Sequence, residues 1–363
     1  MTEFEIKQAR IQTLLAERGL EALLLQRVGS FAWATCGGAS YINTAATFGA
    51  ASLLITKDRR YLITNNIEAA RLEQEQGLAG QGWEFKVNDW HEPAAALPEL
   101  TAGLKVAADN LFPGATDLTD EIARLRANLT PEEGARFRAL GRLCAEAMDA
   151  AIRAVRLGQT EFQIAALLAS EVKSRGAQPI VNLIATDERI FKYRHPLPTE
   201  KKLERYAMLV LCGRWKGLVC SITRLTHFGR LPEDIRRRAE AVARVDAAYI
   251  AATRPGARLS DVIQRGGRAY AETGFPDEWR RHHQGGAAGY EPREYLGTPT
   301  SNEVVSAGQA FAWNPSVVGA KSEDTILIGN GENEAITAIA GWPILRVTLA
   351  DGQAMARPAV LEQ

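Results

Sequence analysis

One punctuated segment, DNLFPGATDLTDEIARLRANLTPEE, constrains this chain more than any other feature, because the patterning on its two sides differs. Within it, short helical stretches are separated by Pro, Gly and capping residues. A chain of 363 residues needs such a break, since single hydrophobic cores rarely grow past about 250 residues. The boundary is expected near residue 130, giving units 1–130 and 131–363.

The first unit opens with MTEFEIKQARIQTLLAERGL, an amphipathic, charged helix. A strand is expected over residues 20–26, then a Gly- and Ser-rich stretch (Gly29, Ser30, Gly37, Gly38) and a strand over 51–56. A polar turn at Asp58 and Arg59 leads to a strand over 61–64, and IEAARLEQEQ reads as a helix. This alternation predicts a small α/β layer domain. Beyond the break, Phe137, Leu140, Leu143, Ala147, Ile152 and Val155 recur at helical spacing, and Gly158 with Thr160 opens a second helix, EFQIAALLASEVKSRG. Strands over 179–184, 207–212 and 218–226, helices over 232–256 and 259–274, and a strand-rich tail follow, so this unit is expected to be α+β.

Composition narrows the function. With 46% hydrophobic and 24% charged residues, and 43 basic balancing 43 acidic, the chain offers no polyanion or membrane-surface partner an attractive field. Neither a secretory leader nor an apolar run of about 18 residues is present, which makes a cytoplasmic location the expectation. Cys36, Cys144, Cys212 and Cys220 stand at no zinc-ligand spacing and are expected to be free thiols.

Three segments of the second unit, in order, resemble the pita-bread family of prolidases, methionine aminopeptidases and creatinase. The whole chain resembles the creatinase and prolidase branch, which carries an extra amino-terminal domain. Where the family reads Asp-x-Gly, a turn, then Gly-Tyr-x-Ser-Asp-x-Thr-Arg, this chain reads LCGRWKGLVCSITRLTHFG, placing Leu211 and Ser221 at two metal-binding aspartates. The family's Gly-His-Gly-x-Gly followed by His-Glu becomes GGAAGYEPRE: Gly286 and Arg293 replace histidines while Glu294 is kept. Ile-Glu-Pro and Glu-Asp-Thr become WNP and SEDTILI, so Asn314 replaces a glutamate and Glu323 remains. Of the five side chains that hold two divalent ions in the family, the resemblance carries over only Glu323. Removing those anionic and imidazole ligands removes what fixes such ions, and neither metal nor other cofactor is expected. A substitute site around Glu294, His282 and His283 is the alternative.

The segment FKYRHPLPTEKK resembles the family's Pro-His-x-x-Pro-Thr-Asp and keeps its histidine as His195. An imidazole titrates near neutral pH and can take a proton from water and return it to a departing nitrogen. Creatinase cleaves a carbon–nitrogen bond without metal, and the resemblance implies that His195 is the acid/base, with Glu323 and Glu294 gripping a nitrogen and stabilising developing charge. The bland reading of His195 is a turn residue in a Pro-rich loop. The run RRHHQGGAAGYEPREY is expected to line the cleft, its Gly and Ala residues admitting a ligand close to the backbone, or else marking a tight packing point. His282 and His283, if on a strand, point to opposite faces, so at most one faces the cleft, and His283 is favoured. Arg224 and Arg293 are candidates for a substrate carboxylate. By the same resemblance Tyr290, Trp313 and Asn314 face the cleft, Lys321 and Ser322 hydrogen-bond substrate, and Phe31 with Trp33 reaches a partner's active site, which implies a homodimer.

The expected function is metal-independent hydrolysis of a carbon–nitrogen bond in a small polar, carboxylate-bearing nitrogen compound. The alternatives are a prolidase or Xaa-Pro aminopeptidase-like metallopeptidase with altered ligands, a metal-free lyase, and a non-catalytic protein of the same fold.

Overall fold

The computed structural model describes residues 1–92, 96–349, 352 and 354–363. It divides into two compact units, one of residues 1–132 with 216–218, the other of 133–215 with 219–363. In the first, the helix Glu3–Arg18 starts from a Thr2–Glu5 capping box and ends at Gly19, whose φ of 63° suits a residue without Cβ. It accompanies a six-stranded sheet ordered Glu84–Asn88, Arg60–Asn65, Phe48–Thr56, Ala22–Arg27, Val106–Ala108, Thr116–Asp117. The Gly- and Ser-rich stretch starts as a fully buried short helix, Val28–Ala34. The helix expected in IEAARLEQEQ forms, residues 69–70 running into the π-helix Arg71–Glu75, which buries Leu72.

In the second unit the helical spacing produces a single 24-residue helix, Pro131–Ala154, burying Phe137, Leu140, Met148 and Ile152. The helix Glu161–Ser174 follows, opened by a capping box of Thr160 and Gln163. Two sheets then position the site. One has the order Leu361–Glu362, Leu218–His227, Tyr206–Trp215, Gln178–Thr186; the other, Tyr295–Leu296, Gly285–Ala288, Ala310–Trp313, Asp324–Leu327, Glu334–Ala335. Both long strands of the first sheet are buried nearly throughout, and they turn over at Lys216 and Gly217, whose φ values are 47° and 79°, the backbone of a tight hairpin. The sheets are linked where Thr223 bridges Glu323 and the Val219 N–H donates to Gly289.

The glycines of the GGAAG run serve this packing. A Cβ on Gly285 would lie 2.1 Å from the Ala312 carbonyl oxygen, and one on Gly286 2.1 Å from that of Tyr295. Close strand neighbours, rather than access for a ligand, exclude side chains there. All four cysteines are free thiols, three of them buried. Among the described residues no helix is long and apolar enough to cross a membrane.

Candidate active site

A cavity of about 580 Å³ opens in the second unit, lined by Val181, Leu183, His195, Val210, Cys212, His283, Pro292, Arg293, Leu296, Asn314, Lys321 and Glu323. Its apolar wall comes from alternate residues of the strands Gln178–Thr186 and Tyr206–Trp215, as the period of two dictates.

At one side lies Glu323. Its Oε1 accepts from an Arg293 guanidinium nitrogen at 3.1 Å, and its Oε2 from Thr223 Oγ at 2.6 Å and from Lys321 Nζ at 2.9 Å. Burial alone would raise its pKa, but Lys321 and Arg293 more than offset that and hold it down at about 2. One carboxylate thus stands among two cations, leaving an excess positive charge in the cavity wall. Arg293 also donates to Ser221 Oγ at 3.1 Å, and Ser221 Oγ lies 3.2 Å from Cys212 Sγ. Asn314 is 3% exposed, and its side-chain oxygen has no hydrogen-bond partner among the described residues.

At the mouth three histidines meet. His195 Nε2 and His282 Nε2 are 3.0 Å apart, the rings of His282 and His283 stack at 4.4 Å, and one ring nitrogen from each of the three falls within 4.8 Å of the others. Two anchors bring these segments together. Arg194, next to His195, is ion-paired with Glu278 of the turn Glu278–Arg281, which runs straight into His282. Glu161 receives Arg189, Thr199 N–H and Thr199 Oγ, clamping both ends of the His195 loop. Burial, then Lys321, lowers the pKa of His195. Burial, Lys321 and the two neighbouring imidazoles bring His282 to about 2, and burial with Arg293 brings His283 to about 4. All three are neutral at pH 7 and present lone pairs.

Several expected site residues lie elsewhere. Arg224 is 2% exposed, paired with Asp324 at 2.8 Å and bonded to the Thr223, Glu323 and Thr337 carbonyls, so it has no free face for substrate. Glu294 turns from the cavity to accept the Tyr290 N–H at 2.7 Å. Tyr290 is 2% exposed, its hydroxyl donating to Glu133 on the long helix at 2.6 Å. Trp313 is fully buried, stacked on Tyr249 at 4.8 Å with its indole N–H on Thr253. Ser322 donates to Asp246 at 2.5 Å, on the face opposite its neighbours. Phe31 and Trp33 are both fully buried within the chain, which leaves neither presented to a partner's site.

Of the histidine pair, His283 lines the cavity and His282 does not. The two sit between the turn and the strand that begins at Gly285 rather than on a strand, and both rings meet His195 at the mouth. Thr223 was not anticipated, although it stands two residues from Ser221 on one strand and so shares its face.

The family model for metallopeptidase family M24 matches residues 135–330, more than half of the chain. An uncharacterized peptidase of Staphylococcus aureus is 24% identical over 260 residues, covering 68% of this chain and 71% of its own. Among solved structures, the prolidase from Pyrococcus horikoshii superposes with a TM-score of 0.79 at 19% identity, covering 92% of this chain and 98% of that one. An Xaa-Pro dipeptidase from Bacillus anthracis does so with 0.78 at 19% identity, covering 99% and 100%. At such identities the likeness is one of fold.

Proposed function

Since the chain belongs to metallopeptidase family M24, we propose that it is a hydrolase that cleaves a carbon–nitrogen bond in a small, carboxylate-bearing nitrogen compound, with water activated on the histidine side of the cavity at His195. The observation that carries this reading is the pairing of a neutral imidazole with an excess of fixed positive charge in one cavity. Arg293 and Lys321 attract and seat the carboxylate. The Asn314 oxygen, which no described residue engages, accepts an N–H of the substrate, and Glu323 holds Arg293 and Lys321 in place. His195 takes the proton of water and returns it to that nitrogen.

The two-ion centre implied by the family resemblance does not fit the residues around Glu323. Both its oxygens are already engaged by Arg293, Lys321 and Thr223, and an ion there would sit against two cations with the uncharged Ser221 and Asn314 as neighbours in place of anions, while Leu211, between the cavity-lining Val210 and Cys212, faces away. No step is therefore derived through that centre. Xaa-Pro dipeptides belong to the proposed substrate class, and the fold likeness to a prolidase and an Xaa-Pro dipeptidase makes them the first compounds to assay, beside guanidino acids and N-acyl amino acids. A homodimer belongs to the same reading and is checked by light scattering.

The test assays chelator-treated protein against these compounds. His195→Ala should fold normally and lose ~100-fold or more in turnover, the usual worth of a positioned acid/base. His91→Ala, in an exposed turn of the first unit, should match the parent. Equal activity of the two variants, or no turnover of any of the three classes, would sink the reading.

A further inference from the structure

The mouth of the cavity carries more imidazole than a single proton transfer uses. His195 alone would serve as a base, yet His282 and His283 are brought to it from a separate segment, by the Arg194–Glu278 ion pair on one side and by Gln284 on the other. The Gln284 side chain donates to the Trp279 and His282 carbonyls and accepts from Tyr270 Oη, so the backbone on both sides of the histidine pair is fixed. Three nitrogens within 4.8 Å, two of them 3.0 Å apart, approach the spacing a tetrahedral ion imposes: ligands at about 2.0–2.1 Å lie roughly 3.4 Å from one another. We propose that His195, His282 and His283 form a binding site for one divalent transition ion of the zinc and cobalt class.

The ligand chemistry sets the selectivity. Three imidazoles and no carboxylate make a neutral, nitrogen-only set, which suits Zn²⁺ or Co²⁺ and gives little to Mg²⁺, Ca²⁺ or Mn²⁺, whose preferred ligands are oxygens. Glu323 lines the same cavity but is not among the ligands, because it spends its oxygens on Arg293, Lys321 and Thr223. Three protein ligands leave a fourth position open to water. An ion there takes the lone pair that His195 would offer to water, so occupancy and base action by His195 are mutually exclusive, and the site can be tested independently of the hydrolase reading.

The experiment titrates the full chain, stripped by chelator, with Co²⁺, reading the visible absorption of a four-coordinate ion and the bound metal by elemental analysis. One equivalent is expected, displaced by Zn²⁺ and not matched by Mn²⁺ or Mg²⁺. His282→Ala, His283→Ala and the more conservative His282→Gln should each lose the absorption while melting like the parent in chelator, whereas Glu323→Gln should keep it. No uptake by the parent overturns the site even if His195→Ala abolishes turnover, which leaves the hydrolase reading standing. Uptake that survives both alanine variants, or that vanishes only in Glu323→Gln, also overturns it. Uptake with the expected histidine dependence upholds it even if no amide is turned over.

Discussion

Glu323 is flanked by Arg293 and Lys321 and receives the Thr223 hydroxyl; Asp324, the next residue, is flanked by Arg224 and Arg357 and receives the Thr337 hydroxyl. Each is a buried acid between two cations with one hydroxyl donor, and strand alternation sends them to opposite faces. The difference lies in what else each face touches. The first cluster lines the cavity. The second is sealed, and Arg357 carries it on to Asp246, whose pKa burial raises although Arg357 and Ser322 partly counter it. Similar pairings therefore serve two ends: one network holds the unit together, while the other exposes its surplus charge to whatever enters. A carboxylate flanked by arginines is no mark of an active site until the far side of the arginine is inspected.

The comparison can be broken most forcefully at Asp324. Asp324→Ala leaves Arg224 buried without its carboxylate and Arg357 with Asp246 alone, and should cost about 3–5 kcal/mol, seen as a large fall in urea midpoint; an unchanged midpoint would mean that the sealed cluster is not structural. Arg293→Ala should act in the other sense, weakening a charge-assisted contact worth about 1.5–3 kcal/mol. The readout is a rise in KM of ~10-fold or more for carboxylate substrates, with KM for the matching amides unchanged. Acid sharpens the contrast further. His282 and His283 have folded pKa values of about 2 and 4, below the ordinary imidazole value of 6.5, so the unfolded chain binds more protons and stability falls as pH drops from 6.5 through 4. Glu323, held at about 2 against an ordinary 4.5, adds a loss only below pH 4.5. A melting temperature flat between pH 6.5 and 4.5 would contradict the neutral histidine cluster, and His282→Gln should remove part of that upper phase. The smallest effect is expected for Tyr290→Phe, which loses its hydroxyl's bonds to Glu133 and Arg136 at about 1.5 kcal/mol, the low end for a charged partner, and should leave KM alone; a change in KM would return Tyr290 to the cavity.

Much of the architecture was legible because burial imposes period. The long helix follows from six apolar residues at helical spacing, and the buried strand pair Tyr206–Trp215 and Leu218–His227 from continuous apolar runs around a Lys-Gly turn. Glu323, Arg293, His195, His283 and Asn314, all singled out in the sequence, line one cavity. The misses have a common cause. Tyr290, Trp313, Glu294 and Arg224 were assigned by their places in the family's motifs, and a motif position does not say which side chains find a partner away from the cavity, as Glu133, Thr253, the Tyr290 amide and Asp324 are for them. Alternation was applied to His282 and His283 where no strand exists, and so it did not show that both rings meet His195.

Arg357 lies on the hairpin strand Ala354–Pro358, far along the chain from its partners on the helix Glu233–Ala252 and the strand Asp324–Leu327. During synthesis Asp246 and Asp324 are made well before the guanidinium that neutralises them both, and until Arg357 clears the ribosome two carboxylates wait without their shared counter-charge. The sealed cluster is thus completed only when a residue made late arrives, Asp324 having Arg224 before then and Asp246 no cation of this cluster, and a nascent chain stalled short of Arg357 should be more open to proteases than the full one.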